Sequence, residues 1–260
     1  EWRRSVQSFF TLNPVDKVEL ELKVSNEKAA EAKIVEETAG NSESAVKKAL
    51  TNYKVSQERL KLRLESLKET SANPRVDRLL EELADKTIKH DKLFDEIGER
   101  FEDKADIKEL VNEAKTRIGE AAVTAAGKDS AVKFAAKLEK ALVESKGGDL
   151  KHLRSVEILD RLEEKSSDDL KESLGRLRED FSIRLKEDVK QALQKESAAK
   201  VQDRLEFLPG DKLRRSLILE ELKDKSETNV AEVLRQTTSG LIESAADQKG
   251  VEIKAKEQIA

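Results

Sequence analysis

Cysteine and methionine are both missing from the 260 residues. Without cysteine there is no disulfide framework, no thiolate zinc site and no thiol nucleophile. Methionine is missing even at position 1, so a processed chain or a piece of a longer one is expected. Helix breakers are scarce, with three prolines and ten glycines. Aromatic residues make up 3% of the chain, and the β-branched and aromatic runs that build strands are lacking, which excludes long sheets. No apolar run approaches the roughly 18 residues of a membrane span, so any signal peptide or anchor would lie outside this chain. Neither sign of charge dominates: 50 Lys and Arg stand against 54 Asp and Glu, for a net charge of −4. The two signs are mixed along the sequence, which describes a solvated helix surface and not the clustered basic footprint of a nucleic-acid binder.

Charged residues fill 40% of the chain and hydrophobic ones 37%. A thin core of that kind suits helices with one apolar stripe each. Asn13-Pro14 and Asn73-Pro74 each pair an N-cap with proline at the first helical position. Asp211 is placed to cap the helix after Leu208-Pro209-Gly210, and Gly40, Gly127 and Gly147–Gly148 mark helix stops. Helices are predicted over about 14–39, 42–69, 74–101 and 103–126. Asp129 is expected to cap a helix striped by Val132, Ala135, Leu138 and Leu142, and Asp149 one carrying Leu150, Leu153, Leu159 and Leu162. A helix bearing Leu170, Leu174, Leu177, Phe181, Leu185 and Val189 follows, then short helices near 201–208 and 213–222 and a last one over about 228–246. The apolar spacings are the i, i+3, i+4, i+7 steps of one helix face.

One pattern recurs. Ile158-Leu-Asp-Arg-Leu162-Glu-Glu-Lys165-Ser166 aligns without gaps on Ile218-Leu-Glu-Glu-Leu222-Lys-Asp-Lys225-Ser226, and the register continues from Leu170 to Val230, Leu174 to Leu234 and Phe181 to Leu241. A third copy begins at Leu79-Leu-Glu-Glu-Leu83-Ala-Asp-Lys86-Thr87. Each copy is expected to form a helix, a short turn at Lys-Ser or Lys-Thr, and a second helix, the kind of unit that stacks into an extended surface.

Chemistry is sparse. His90 and His152 fall on different predicted helices with no companion ligand, and His90 is placed on a polar face or its edge. There is no phosphate-binding glycine loop, no nucleophile elbow and no calcium loop. Neighbouring carboxylates such as Asp168 and Asp169 do not share a helix face. No catalytic residue, cofactor-binding residue or metal ligand is assigned. The one candidate docking feature is Trp2, Val6, Phe9 and Phe10, bulky apolar side chains gathered in a short segment before Asn13-Pro14.

That end of the chain, Trp2 through Phe9-Phe10-Thr11, Pro14, Lys17 and Glu19-Leu20-Glu21-Leu22, resembles an uncharacterised bacterial family known only as a domain of unknown function. At the family's next motif, Ala-x-x-Arg-Leu-x-Glu, this chain holds Ser25, Lys28, Ala29 and Glu31, a looser fit that keeps only the glutamate, and Thr87-Ile-Lys-His90-Asp-Lys-Leu93 is similar to a later family feature. The resemblance implies an extracytoplasmic location, secreted or membrane-anchored, and association of some members with sigma-factor regulation implies a sensing role.

The expected architecture is all-α, an elongated array of antiparallel helical hairpins, as a helical bundle or irregular α-solenoid. A long-helix domain is expected over 1–146 and two repeated hairpins over 147–260. The expected function is a non-catalytic extracytoplasmic structural or protein-interaction module, with self-assembly as one route and the sensing ectodomain of an envelope regulatory protein as the alternative. The expected partner is a protein or a second copy, with no cofactor and no nucleic acid.

Overall fold

The computed structural model describes residues 13–38, 42–67, 72–126, 131–145 and 148–259, with side chains as far as 245. Among them are ten helices and no strand. We number them α1 (Pro14–Thr38), α2 (Glu43–Ser66), α3 (Pro74–Arg100), α4 (Ala105–Ala126), α5 (Ala131–Glu144), α6 (Lys151–Glu164), α7 (Asp168–Lys195), α8 (Ala198–Glu206), α9 (Lys212–Lys223) and α10 (Thr228–Ile259). The chain is all-α, as its periodicity predicts.

Asn13, Asn73 and Asp211 cap as expected, and the predicted cap Asp129 lies outside the described residues. Asn13 Oδ1 accepts from the Val15 amide at 2.9 Å and Asn73 Oδ1 from the Arg75 amide at 2.9 Å. Asp211 accepts from the amides of Leu213 and Arg214 at 3.1 and 3.0 Å. Each satisfies donors that the first helical turn leaves open. Asp149 differs: α6 begins after Leu150, whose φ of 67° puts a buried leucine in the left-handed region. Val132 also departs from its predicted stripe and is exposed, while Ala135, Leu138 and Leu142 are buried.

The chain divides into two compact units, Glu1–Ser145 with Asp160–Gly175, and Lys146–Leu159 with Arg176–Ala260. In the first, ion pairs give the helix directions. Lys47 meets Asp106, Lys54 meets Glu113, and Lys61 meets Glu120 at 3.2 Å. Glu58 meets Arg117 at 3.1 Å. The partners keep one offset while the lysines step by seven, so α2 and α4 run parallel and present matching faces every two turns. Asp16 and Glu19 with Arg75, then Glu36 with Arg100, set α1 parallel to α3. Asp77 with Lys137 and Glu81 with Lys140 set α3 parallel to α5. Exposed pairs such as these add little stability; they fix register.

The core of α1–α4 forms two apolar clusters. One joins Val15, Val18 and Leu22 to Leu60, Leu64, Val76, Leu79 and Leu83. The other joins Ala29 and Ala32 to Leu50, Tyr53, Phe94, Ile97, Ile107, Val111 and Ile118. The end of α1 thus shares a cluster with the start of α2, and the end of α3 with the start of α4, so each consecutive pair is antiparallel.

In the segments related by 60 residues, Ile158, Leu159, Leu162, Leu170, Leu174 and Phe181 are buried, and so are Ile218, Leu219, Leu222, Val230, Leu234 and Leu241. Their turns match bond for bond. Ser166 Oγ donates to the Leu162 carbonyl at 2.5 Å, Ser226 Oγ to the Leu222 carbonyl at 2.6 Å. The amides of Lys165 and Lys225 donate to the same two carbonyls at 3.2 and 3.1 Å. The copy at Leu79 behaves differently. Thr87 Oγ1 makes the equivalent bond to the Leu83 carbonyl at 2.8 Å, but α3 continues unbroken to Arg100. The polar residues that restart the helix at Ser167-Asp168-Asp169 and Glu227-Thr228-Asn229 are replaced there by Ile88-Lys89-His90.

Candidate functional site: two buried polar centres

The apolar heptads of the first three helices are each interrupted by polar side chains. In α3, Leu80, Leu83, Thr87, His90, Phe94, Ile97 and Phe101 alternate steps of three and four, the signature of a continuous buried seam. Thr87 and His90 occupy seam positions. In α1 the seam position between Leu22 and Ala29 is Ser25, and in α2 the one between Tyr53 and Leu60 is Gln57. All four are buried and form a polar layer between the two apolar clusters.

His90 therefore lies in the interior, not on the polar face its sequence context predicts. Tyr53 Oη is 2.8 Å from His90 Nδ1, and the rings meet edge to face with centroids 5.4 Å apart. Phe94 packs on Tyr53 from 4.6 Å. Burial, reinforced by the positive field of Lys86, pushes the imidazole down to about 4. A neutral ring with an unprotonated Nδ1 accepts the Tyr53 hydroxyl proton. The Tyr53 oxygen in turn accepts from Gln57 Nε2 at 2.6 Å, and the same amide donates to Ser25. Burial holds the Tyr53 hydroxyl well above its ordinary range, against the hydrogen bonds from Ser25 and Gln57.

One residue beyond His90 the layer becomes charged. Asp91 and Asp95 of α3 both face Lys115 of α4: Lys115 bonds Asp95 directly and lies 3.5 Å from Asp91. Arg161 of α6 bonds Asp91. Two carboxylates and two cations thus balance, which is what burial of charge requires.

The second unit has its own centre at Arg215. Its Nε donates to Glu157 at 2.7 Å, Nη1 to the carbonyls of Leu205 and Leu208 at 3.2 and 2.6 Å, and Nη2 to that of Pro209 at 3.1 Å. The guanidinium caps the end of α8 and clamps the Leu208-Pro209-Gly210-Asp211 turn, where Gly210 takes a φ of 140° that suits only glycine. His152 meets Asp188 at 2.7 Å and packs on Phe181 at 5.7 Å.

In both centres buried charged and polar groups bond across helices or to backbone carbonyls, which ties the helices to one another. No group of three or more metal-ligating side chains placed to hold an ion occurs among the described residues. No helix among them is long and apolar enough to cross a membrane. Trp2, Val6, Phe9 and Phe10, the predicted docking residues, lie outside the described residues. Asp91, Asp95, Lys115, Arg161 and Arg215 escaped sequence reasoning; the seam position of His90 beside Asp91 and Asp95 was the one available signal. No family model, curated protein or solved structure matches the chain.

Proposed function

We propose that the chain is a non-catalytic structural or protein-interaction module: a helical scaffold whose surface, not an internal site, does the work. The observation that carries this reading is the sealed polar layer. Buried charges and hydrogen bonds that cross from helix to helix penalise every shifted register, because a slip strands them without partners. The matched turns after Leu162 and Leu222 add a repeated unit, and repeated helical units serve to present surface. The extracytoplasmic location rests on the resemblance of the Trp2–Leu22 region alone.

The sensing alternative draws on one observation, the buried His90, whose protonation would turn Nδ1 from acceptor into donor and force the Tyr53 hydroxyl to reorient. Native-state hydrogen exchange separates the two. A scaffold protects the amides of Tyr53, His90 and Lys115 as strongly as those of the flanking clusters at pH 7 and pH 5. A sensor opens the layer below pH 6, with exchange there outpacing that of Leu22 and Ile97; that result would replace the scaffold reading.

A further inference from the structure

The 60-residue offset places α9 on α6 and shows an unequal fate for equivalent faces. Leu153 and Glu157 of α6 are 0% and 2% exposed. Arg215 of α9 bonds Glu157, and Arg204 of α8 reaches Asp149, just before the start of α6, at 3.6 Å. Sixty residues on, the same two positions of α9 are Leu213 and Leu217, which are 54% and 66% exposed. Continuing at helical spacing, Glu220 and Asp224 complete one exposed stripe, Leu213, Leu217, Glu220, Asp224. Phe207, also exposed, sits on the turn that Arg215 holds against α9. The opposite side of α9, with Ile218, Leu219 and Leu222, is buried, so this helix is apolar on two faces, and among the described residues only one is covered.

A matching surface exists on α2. Its outward stripe is Lys48, Asn52, Val55, Arg59 and Leu62, with Arg63 beside it and Glu65 at the edge, all exposed. It offers two apolar side chains among three cations, against two apolar side chains and two carboxylates on α9. The pairing repeats a rule used inside the first unit, where the cations of α2 meet the acids of the parallel helix α4.

We infer that the Leu213–Leu217–Glu220–Asp224 face of α9 is a docking surface for α2 of a second copy of this chain. Leu217 packs against Val55, and the acids face Arg59 and Arg63. Glu220 already bonds Lys223 at 2.5 Å; docking extends that pair into a network. The inference rests on the interaction-module reading and names its partner. One helix pair buries less than the roughly 1,200 Å² of a stable interface, so the association is weak and concentration-dependent, and salt weakens it further.

The test is sedimentation velocity of the full chain at rising concentration, with circular dichroism as the check on folding. Wild type is expected to associate, and Leu217→Asp to weaken association about tenfold or more with helicity unchanged. Glu220→Lys with Asp224→Lys is expected to weaken it, Arg59→Glu with Arg63→Glu likewise, and a mixture of the two charge-reversed proteins to associate again. Association that ignores all of these variants overturns the docking face and leaves the module reading standing. A wild-type chain that stays monomeric throughout overturns the self-docking inference, and the hydrogen-exchange result then judges the module reading separately.

Discussion

Replacing Arg215 by methionine keeps the side-chain length and removes the charge. In the native protein the guanidinium serves four acceptors: the Glu157 carboxylate and the carbonyls of Leu205, Leu208 and Pro209. Arg215 and Glu157 are 1% and 2% exposed, so water cannot take over. Removing one partner of a buried ion pair costs about 3–5 kcal/mol, most of it from the stranded charge. For a chain of this size each kcal/mol lowers Tm by about 2–4 °C, so a drop of roughly 6–20 °C is expected. Urea unfolding should show a lower midpoint with an unchanged slope if the native fold persists. Adding Glu157→Gln removes the stranded carboxylate and should recover at least about 1 kcal/mol, a coupling of the size found for directly contacting residues. If Arg215→Met costs less than about 1 kcal/mol, or if Glu157→Gln in the same chain recovers nothing, the clamp is not a stability determinant and the argument from burial fails.

Leu162→Ala and Leu222→Ala, at matched positions of the repeat, should each cost about 2–5 kcal/mol in urea unfolding; a near-neutral effect at either would break the equivalence. Tyr53 is the single tyrosine. Because burial raises its folded-state value, the contribution is intact below pH 10 and is lost as pH rises above it, where only the unfolded chain ionises. Absorbance near the tyrosinate band should therefore stay flat past pH 10 and rise together with loss of helix; a separate earlier rise would place the hydroxyl at the surface.

Much of the fold was legible because its determinants are local. Asn13, Asn73 and Asp211 cap helices through bonds to amides two or three residues away, and cap and stripe alike are properties of one segment. The match of 158–181 to 218–241 was legible because a gapless alignment of apolar positions carries the turn with it. The polar layer was not. A single helix's periodicity locates its most apolar stripe but not how wide an arc its neighbours will cover. Helix α3 packs against α1, α4 and α5, so its buried arc extends past the leucines to Thr87, His90, Asp91 and Asp95. In a chain with 40% charged residues, an aspartate that will meet Lys115 looks like any surface aspartate until the tertiary partner is known. The turn expected at Lys86-Thr87 fails for a similar reason: the leading motif recurs there, but the capping residues that make it a turn elsewhere do not.

A sealed layer around Tyr53 is what the scaffold requires, and His90 reports on it directly. The chain has two histidines, so ring nitrogen shifts can be assigned by comparing wild type with His152→Gln. With the folded value near 4 against an ordinary 6.5, the layer's contribution is complete above pH 6.5 and declines as pH falls toward 4, by about 3 kcal/mol in all. The measurement is a nitrogen-15 titration of the imidazole from pH 8 to pH 4. The expected result is a neutral ring with unprotonated Nδ1 throughout pH 8 to 5, and protonation only near pH 4 or with unfolding. A His90 that titrates near 6.5 in a folded chain would show a solvated ring and contradict the buried layer on which the scaffold reading stands.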